Sequence, residues 1–382
     1  MSRWKWIALI AGALLLYAAV AALPALDAAL PEVASRRARA APPGPFGPRL
    51  IPAPLLSRGK RVTTSTGDGA PLVDGVYRTG GKWGGGKPSP EHPAWAAIEL
   101  GRGPTRLLLS WTSSGNHDYW DQFYGAPVDY QIEVSSDSTD GRDGAWRSVV
   151  EVKDNPAHGR AHSFPFDGMR WVRLSVTRLP AKVNTWGLFL DEIDVHDLSG
   201  GGNDVWAFLG DSITAETADR GTSRRPAFVD QIAARHPGYH PATLNLGLCR
   251  FKTPDALEKL DQLLALNPDA HVWAILLGSN DGTPEMVRDA LRPMVERIRA
   301  AGRIPIVARI PFQTKYGPDY AAAKNLALDE VVRTAGLGRG PDLYTWFKAH
   351  PARLRDGLHP DDAGAIELNR LWAEAVAPLY PW

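Results

Sequence analysis

The pattern of apolar and polar residues divides the chain into two parts of different character. From Arg61 to about Leu198, short alternating or continuous apolar runs are separated by Gly, Pro, Asn and Asp turns, which is typical of an antiparallel sandwich. After the glycine-rich stretch SGGGND, apolar runs alternate with helical stretches, as in VWAFLG followed by PAFVDQIAARH. This alternation predicts a parallel sheet covered by helices, with functional residues at the carboxyl ends of the strands. The predicted fold is a three-layer α/β domain preceded by an all-β sandwich.

Residues 1–40 carry a third pattern. Two basic residues precede an apolar run, rich in Ala and Leu, from Ile7 to about Leu23. This is the layout of a secretory signal peptide, and the run is also almost long enough to span a bilayer as an uncleaved anchor. Both alternatives predict an exported protein, secreted, periplasmic or at the cell surface, and possible membrane attachment follows from the second. The Pro- and Gly-rich residues 41–60 predict an extended linker, so the folded part is expected to begin near Arg61.

Length and charge narrow the classes of protein. A chain of 382 residues exceeds the size at which one core usually keeps growing, so two domains are expected, at residues 61–199 and 203–382. The 43 Lys and Arg nearly balance the 42 Asp and Glu, which argues against a nucleic-acid partner. The single cysteine, Cys249, allows no internal disulfide and no thiolate metal site. No metal or cofactor is implied.

The sandwich segment contains a recognisable order of strand-like motifs. They are DGVYRTGGKW (74–83), AWAAIELG (94–101), DYQIEVSSDS followed by AWRSVV, then MRWVRLSV and LDEIDVHD. This order resembles a discoidin-type, galactose-binding-like jelly roll. The resemblance implies a module whose loops at one end bind glycans, because aromatic faces stack on the apolar faces of sugars.

Five loop residues are candidates for such sugar contacts. They are Trp83, His117, Tyr119, Trp120 and Tyr124. Two other interpretations stay open: Trp83 belongs to the scaffold of the fold, or these loops pack on the α/β domain and shape a cleft there. Four further tryptophans lie in or beside strand-like runs and are predicted to belong to the core: Trp95, Trp111, Trp146 and Trp171.

The candidate chemistry lies at three strand ends and in one later loop. These segments are Gly210-Asp211-Ser212, Asn245-Leu246-Gly247, Gly278-Ser279-Asn280-Asp281 and Asp356-Gly357-Leu358-His359-Pro360. Each is common in unrelated proteins when taken alone. Their joint order and spacing, over about residues 204–378, resembles the SGNH/GDSL hydrolase family.

The resemblance implies a serine hydrolase with defined roles for five residues. Ser212 would be the nucleophile, and because a serine hydroxyl attacks poorly until a base takes its proton, His359 is needed within hydrogen-bond reach. Asp356, three residues earlier, would orient the imidazole. The backbone N–H groups of Ser212 and Gly247 and the side-chain amide of Asn280 would form the oxyanion hole. A glycine at 247 would leave room for the acyl oxygen.

Neighbouring polar residues have structural interpretations. Asp211 is expected to hold the turn that presents the serine, and Asp281 to cap the helix that starts near Pro284. The segment LCRFKT after Gly247 lacks the further glycine that is frequent in the family, so Cys249 and Arg250 are expected to narrow or charge the cleft.

These features together predict an exported serine esterase that removes O-acetyl or other short acyl groups from a carbohydrate polymer. The sandwich would raise the local concentration of the catalytic domain on that polymer. Three alternatives remain: a lipase or thioesterase, an acyltransferase that uses the same triad, and a non-catalytic glycan-binding surface protein.

Overall fold

The computed structural model describes residues 44–76, 83–113, 126–181, 187–217, 227–317 and 319–381. Gly44–Trp382 form one compact unit, in which a β-sandwich region and an α/β region are in contact. The predicted signal peptide or anchor lies outside the described residues. Within the described part, no helix has both the length and the apolar character needed to cross a membrane.

The sandwich region is built from antiparallel strands. Its described strands are β1 (Val62–Thr64), β2 (Trp83–Gly86), β3 (Ala94–Glu99), β4 (Arg106–Thr112), β5 (Asp129–Ser135), β6 (Arg147–Val152), β7 (Gly159–Pro165), β8 (Trp171–Arg178), β9 (Leu188–Leu190) and β10 (Glu192–Asp197), with a 3₁₀ turn at Ala70–Val73. They form a five-stranded sheet in the order β1-β3-β8-β5-β6, a three-stranded sheet β10-β4-β7 and the pair β2-β9. The predicted all-β region is confirmed.

The α/β region alternates strands and helices, as its apolar pattern predicts. Its elements are β11 (Val205–Gly210), α1 (Ser212–Thr217), α2 (Phe228–Arg235), β12 (Ala242–Gly247), α3 (Thr253–Leu266), β13 (Val272–Leu276), α4 (Pro284–Ala300), β14 (Ile304–Arg309), α5 (Tyr320–Thr334), β15 (Arg339–Asp342), α6 (Leu343–Ala349) and α7 (Asp362–Ala375), with 3₁₀ turns at Pro351–Arg353 and Ala377–Leu379. The strands are all parallel, in the order β12-β11-β13-β14-β15.

The strand order brings three chain segments to one edge of the parallel sheet. β11 lies between β12 and β13, and Gly210 is paired with Gly247 on one side and with Leu276 on the other. The carboxyl ends of these strands are therefore level with one another. This is the switch point of the sheet, where α/β proteins place their ligands.

The Pro- and Gly-rich segment differs from the predicted linker. Leu50 and Ala53 are buried, the Leu50 N–H donates to Leu379 O (2.8 Å), and the Leu56 N–H donates to Val195 O (2.7 Å). The folded part thus begins before Arg61, within the predicted linker. Composition predicted extended backbone here, but it could not show that this backbone would form hydrogen bonds with Val195 and Leu379.

The sandwich region contacts the parallel sheet along strand β12. A Cβ at Gly159 of β7 would lie 3.0 Å from the carbonyl oxygen of Asn245, so the two strands approach closely. Arg106 and Asp269 form an ion pair (3.5 Å) between the two regions. The sandwich therefore contacts β12 at Asn245, two residues before the carboxyl end of that strand.

Candidate active site

The turn that presents Ser212 depends on a glycine and a buried carboxyl group. A Cβ at Gly210 would lie 1.9 Å from Thr214 Oγ1 and 2.7 Å from Leu276 O, so only glycine fits between the strand end and helix α1. Asp211 Oδ1 accepts a hydrogen bond from the Ile213 N–H (2.9 Å), which is the predicted turn-holding role. Burial raises the pKa of Asp211 to about 7.

The structure brings Ser212, His359 and Asp356 into one hydrogen-bonded chain. Ser212 Oγ lies 2.9 Å from His359 Nε2, and His359 Nδ1 lies 2.7 Å from Asp356 Oδ2. With Nδ1 protonated towards the carboxylate, Nε2 is the acceptor for the serine proton. Burial alone would raise the pKa of Asp356, but hydrogen bonds from His359 and Leu358 hold it well below its usual range. The carboxylate is therefore ionised and fixes the imidazole in this orientation.

The loop that carries the histidine is closed on itself. Asp356 Oδ1 accepts from the backbone N–H groups of Leu358 (3.0 Å) and His359 (2.7 Å). Gly357 has a φ of +77°, a left-handed conformation that favours glycine, and its carbonyl oxygen accepts from the N–H groups of Thr314 (2.9 Å) and Lys315 (3.1 Å). The turn is thus held before any substrate binds.

Asn280 follows strand β13 and is partly exposed. Its Nδ2 donates to Phe251 O at 3.2 Å. An amide group carries two hydrogens, so this bond fixes the orientation of the side chain and leaves a second hydrogen to donate elsewhere. Ser212 is the first residue of α1, where backbone N–H groups lack an intrahelical acceptor.

Gly247 differs from its predicted role. Its N–H donates to Asn245 Oδ1 (3.0 Å), so this group is already occupied. A Cβ at this position would lie 2.2 Å from the Ala215 backbone nitrogen, so glycine is needed for contact with α1 rather than to admit an acyl oxygen. Asn245 Nδ2 in turn donates to Thr214 O (3.3 Å) and Ala215 O (3.2 Å). The Asn-x-Gly segment therefore anchors the helix that begins with Ser212.

Asp281 also differs from its predicted role, because it does not cap the helix that follows it. Its carboxylate accepts from the backbone N–H (3.2 Å) and the hydroxyl (3.1 Å) of Thr253, at the start of α3. The cap of α4 is Thr283, whose hydroxyl accepts from the Met286 N–H (3.3 Å). The fold brings the start of α3 within hydrogen-bond distance of this carboxylate, although Thr253 is 28 residues away in the sequence.

The predicted sugar contacts have two outcomes. Trp83 is only 2% exposed and its Nε1 donates to Thr66 O (2.7 Å), so its face is not open to a ligand and the sugar-binding prediction for it is wrong. The remaining candidates, His117, Tyr119, Trp120 and Tyr124, lie in residues 114–125, outside the described residues.

The four tryptophans predicted to belong to the core differ in burial. Trp111 and Trp171 are buried as predicted, whereas Trp95 and Trp146 are half-buried beneath the guanidinium of Arg173. Among the described residues, no group of three His, Cys, Asp or Glu side chains is arranged to hold a metal ion.

Two residues beside Asn280 were not predicted. The Tyr320 hydroxyl contacts the carbonyl oxygens of Ser279 (3.3 Å) and Asp281 (3.1 Å), and the Lys324 ammonium lies 3.3 Å from the centre of the Tyr320 ring. Their sequence context indicates only an amphipathic helix. A tyrosine and a lysine four residues apart in a helix do not indicate that the turn after β13 packs against them.

A model of the GDSL-like Lipase/Acylhydrolase family matches residues 208–365. This match supports a GDSL-like acylhydrolase domain in the α/β region. The match includes all four segments that carry Ser212, Gly247, Asn280 and His359, and it supports an ester-hydrolysing enzyme. A comparison with curated proteins finds no match.

Three solved structures match this chain at low identity, with TM-scores below 0.5. A lipase/acylhydrolase from Enterococcus faecalis has 23% identity and a TM-score of 0.38, and the match covers 45% of this chain and 94% of that one. An acetyl xylan esterase variant from Geobacillus stearothermophilus has 17% identity and a TM-score of 0.38, over 47% and 96% of the two chains. Protein YXIM from Bacillus subtilis has 12% identity and a TM-score of 0.42, over 74% and 80%. At these identities the substrates of those proteins do not transfer to this one.

Proposed function

We propose that this chain is an exported serine esterase in which Ser212, His359 and Asp356 form the catalytic triad. The observation that carries the proposal is the continuous hydrogen-bonded chain from Ser212 Oγ through the imidazole to the Asp356 carboxylate. Ser212 lies at a strand end and His359 in a loop 147 residues later. The fold does not require a hydrogen bond between these two side chains, so their contact supports a chemical role.

The reaction would proceed in two steps. His359 Nε2 takes the Ser212 proton as Oγ attacks the acyl carbon, and the imidazolium then protonates the departing alcohol oxygen, leaving an acyl-serine. A water molecule next gives a proton to Nε2 and attacks the acyl carbon. The imidazolium then returns that proton to Ser212 Oγ as the bond between Oγ and the acyl carbon breaks, which releases the carboxylic acid. Asp356 stays ionised throughout and stabilises the imidazolium.

The oxyanion of each tetrahedral intermediate needs hydrogen-bond donors. The Ser212 backbone N–H and the Asn280 side-chain amide are the two proposed donors that the described geometry favours, since the Gly247 N–H is bound to Asn245. Each donor of this kind typically contributes about 3–4 kcal/mol to transition-state stabilisation. Gly247 supports the same site indirectly, by allowing α1 to pack against β12.

We further propose that the acyl group is a short one, acetyl in the simplest case, carried by a carbohydrate polymer. The position of the sandwich supports this assignment. Ser113, the last described residue before segment 114–125, lines the same small cavity as Thr243 and Asn245 of β12. A polymer held by this part of the sandwich would pass close to β12, which pairs with the strand that precedes Ser212.

Full-length wild-type protein, Ser212→Ala and His359→Gln test the esterase. We expect hydrolysis of p-nitrophenyl acetate by the wild type and loss of about 10⁴-fold or more in kcat for both variants. His350→Gln is the matched control, because His350 stacks on Trp346 and binds its carbonyl oxygen. A wild type that is no faster than Ser212→Ala on any ester would refute the proposal.

The polymer requires a separate measurement. Acetate release from a panel of acetylated polysaccharides should identify at least one substrate, and the double change Tyr119→Ala and Trp120→Ala should lower kcat/KM on that polymer about tenfold while leaving p-nitrophenyl acetate unaffected. Equal losses on both substrates would instead assign these residues to the cleft itself. Transfer of acetyl to an added sugar, measured in the same assay, would favour the acyltransferase alternative.

A further inference from the structure

We propose that Tyr320 and Lys324 are positioning residues that hold the Asn280 amide where the oxyanion forms. This inference rests on the proposed function of Asn280. It adds to the active site two residues of helix α5 that neither belong to the triad nor donate to the oxyanion.

Tyr320 acts on the backbone on both sides of Asn280. Its hydroxyl lies 3.3 Å from the carbonyl oxygen of Ser279 and 3.1 Å from that of Asp281. A single hydroxyl hydrogen shared between these two acceptors restrains the peptide units that precede and follow Asn280. The orientation of the Asn280 side chain depends on both units.

The opposite side of the turn is held independently. Asn280 Nδ2 donates to Phe251 O, and the buried Asp281 carboxylate accepts from Thr253 at the start of α3. The Ser279–Asp281 turn is therefore attached to α3 on one side and to α5 on the other. Loss of the Tyr320 contact would leave the turn attached on one side alone.

Lys324 fixes the ring that makes this contact. It lies one helical turn after Tyr320, is 2% exposed, and places its ammonium 3.3 Å from the centre of the Tyr320 ring. Within the described residues its Nζ has no hydrogen-bond partner. Burial lowers the pKa of Lys324 to about 8, while the carboxylates of Asp281 and Asp211 act in the opposite direction.

A buried ammonium without a hydrogen bond is costly, so its position needs a compensating interaction. The face of an aromatic ring supplies one, and a desolvated cation–π contact of this kind is among the stronger ones. The ring is thereby held in one orientation, with its hydroxyl directed at the Ser279–Asp281 turn. The arrangement has the form of a support for Asn280 rather than of an independent binding site.

Kinetics of the full-length protein test this role. An oxyanion donor is effective because it is placed before the charge develops, and a displacement of about 1 Å costs up to 100-fold in rate. We expect Tyr320→Phe to lower kcat for p-nitrophenyl acetate about tenfold with KM changed less than about twofold. Lys324→Met, which keeps an unbranched side chain only one atom shorter and removes the charge, should also lower kcat, by a smaller factor.

Tyr316→Phe is the matched control. Tyr316 is 49% exposed and its ring packs on Tyr320 with a centroid distance of 4.9 Å, so this change removes a hydroxyl from the adjacent ring without altering the Asn280 turn. Its kcat should equal that of the wild type. Thermal unfolding of every variant separates loss of fold from loss of rate.

A double-mutant cycle shows whether Tyr320 acts through Asn280. In an Asn280→Ala background, Tyr320→Phe should change kcat by less than about twofold, because there is no amide left to position. An unchanged kcat in the single variant, or the same loss in both backgrounds, would overturn the inference. A general effect on stability would produce the second of these results.

Hydrogen exchange gives a readout that does not need activity. The backbone amides of residues 279–282 should exchange faster in Tyr320→Phe than in the wild type and in Tyr316→Phe. Unchanged protection would overturn the inference even in an active enzyme. A wild type that is no faster than Ser212→Ala, with faster exchange in Tyr320→Phe, would instead refute the esterase and leave the support of the turn established.

Discussion

The two regions of the molecule bury their strands in different ways. In the sandwich, β5 buries Tyr130, Ile132 and Val134 and leaves the intervening side chains half-exposed. In the α/β region, all six residues of β11 and all five of β13 are buried. Side chains in the middle of a parallel sheet that helices cover on both faces do not reach solvent, whereas an antiparallel sheet often has one solvated face. Functional residues of the α/β region must therefore follow the strand ends.

The same difference explains why aromatic residues were a weak guide in the sandwich. Its half-buried tryptophans, Trp95 and Trp146, lie under Arg173, and the buried Trp171 lies under Arg61. An aromatic residue beside an exposed strand position has several structural uses, of which sugar stacking is one. Ser212, in contrast, lies just beyond the carboxyl end of a buried parallel strand, where such sheets bind their ligands, so position relative to the sheet is more informative than residue type.

The largest expected effect concerns the α/β region alone. Asp356→Asn keeps an acceptor for the Leu358 and His359 N–H groups but cannot stabilise the imidazolium, so kcat should fall about 10⁴-fold with little change in melting temperature. Steady-state kinetics and thermal unfolding measure the two quantities. Asp361→Asn is the control, since asparagine replaces aspartate well at the N-cap of α7. Wild-type kcat in Asp356→Asn would remove Asp356 from the triad.

The next effect concerns the sandwich alone. Trp83→Ala should lower the free energy of unfolding by about 3–5 kcal/mol, because it empties a buried site and leaves Thr66 O without its donor. Urea unfolding measures the loss. Binding of the folded variant to its polysaccharide should match the wild type, and weaker binding at unchanged stability would restore Trp83 as a sugar contact.

A smaller effect couples a strand end to the nucleophile. In Gly247→Ala the new methyl group would press on the Ala215 backbone, so we expect a loss of about 1–3 kcal/mol in stability together with a lower kcat, because α1 begins with Ser212. Gly200→Ala is the control, since a Cβ there meets no atom within 4 Å and its φ is not in the left-handed region. Unchanged stability and kcat in Gly247→Ala would show that α1 can shift to accommodate the methyl group without displacing Ser212.

The smallest effect is the pH dependence of stability, and it returns to the sandwich. Burial, and secondarily the neighbouring Asp194, raise the pKa of Glu192 well above its ordinary value near 4.5. The folded state then binds the proton more tightly than the unfolded state, so stability falls as pH rises above 4.5 towards the raised pKa, by at most about 1.4 kcal/mol per pH unit. Asp204 and Asp211, whose pKa burial raises to about 7, act in the same direction.

Glu192→Gln should therefore reduce the loss of stability between about pH 6 and 7, measured by urea unfolding, without abolishing it. Glutamine retains an acceptor for the Gly75 N–H that binds Glu192 Oε1 (2.9 Å). A variant with the same pH dependence as the wild type would show that Glu192 is ionised in the folded protein.

The sequence by itself determined the order of elements and the residues that meet at the sheet edge. Alternation of apolar runs and helical stretches specifies a parallel sheet, and parallel strands necessarily bring their carboxyl ends together. Ser212 and Asn280 follow such strand ends, and Asp356 and His359 are three residues apart. The proximity of the members within each of these two pairs could therefore be predicted from the sequence.

Only the tertiary structure decided the remaining partners, because they depend on which distant groups come within hydrogen-bond distance. Asp281 pairs with the start of α3 instead of the helix after it, and the Asn245 amide donates to the Thr214 and Ala215 carbonyl oxygens of α1. The segment before Arg61 pairs with existing strands and chain ends, and Trp83 is enclosed rather than presented. Hydrophobic period and local motifs describe neighbours along the chain, whereas a hydrogen bond forms with whichever partner the packing of the whole unit leaves nearest.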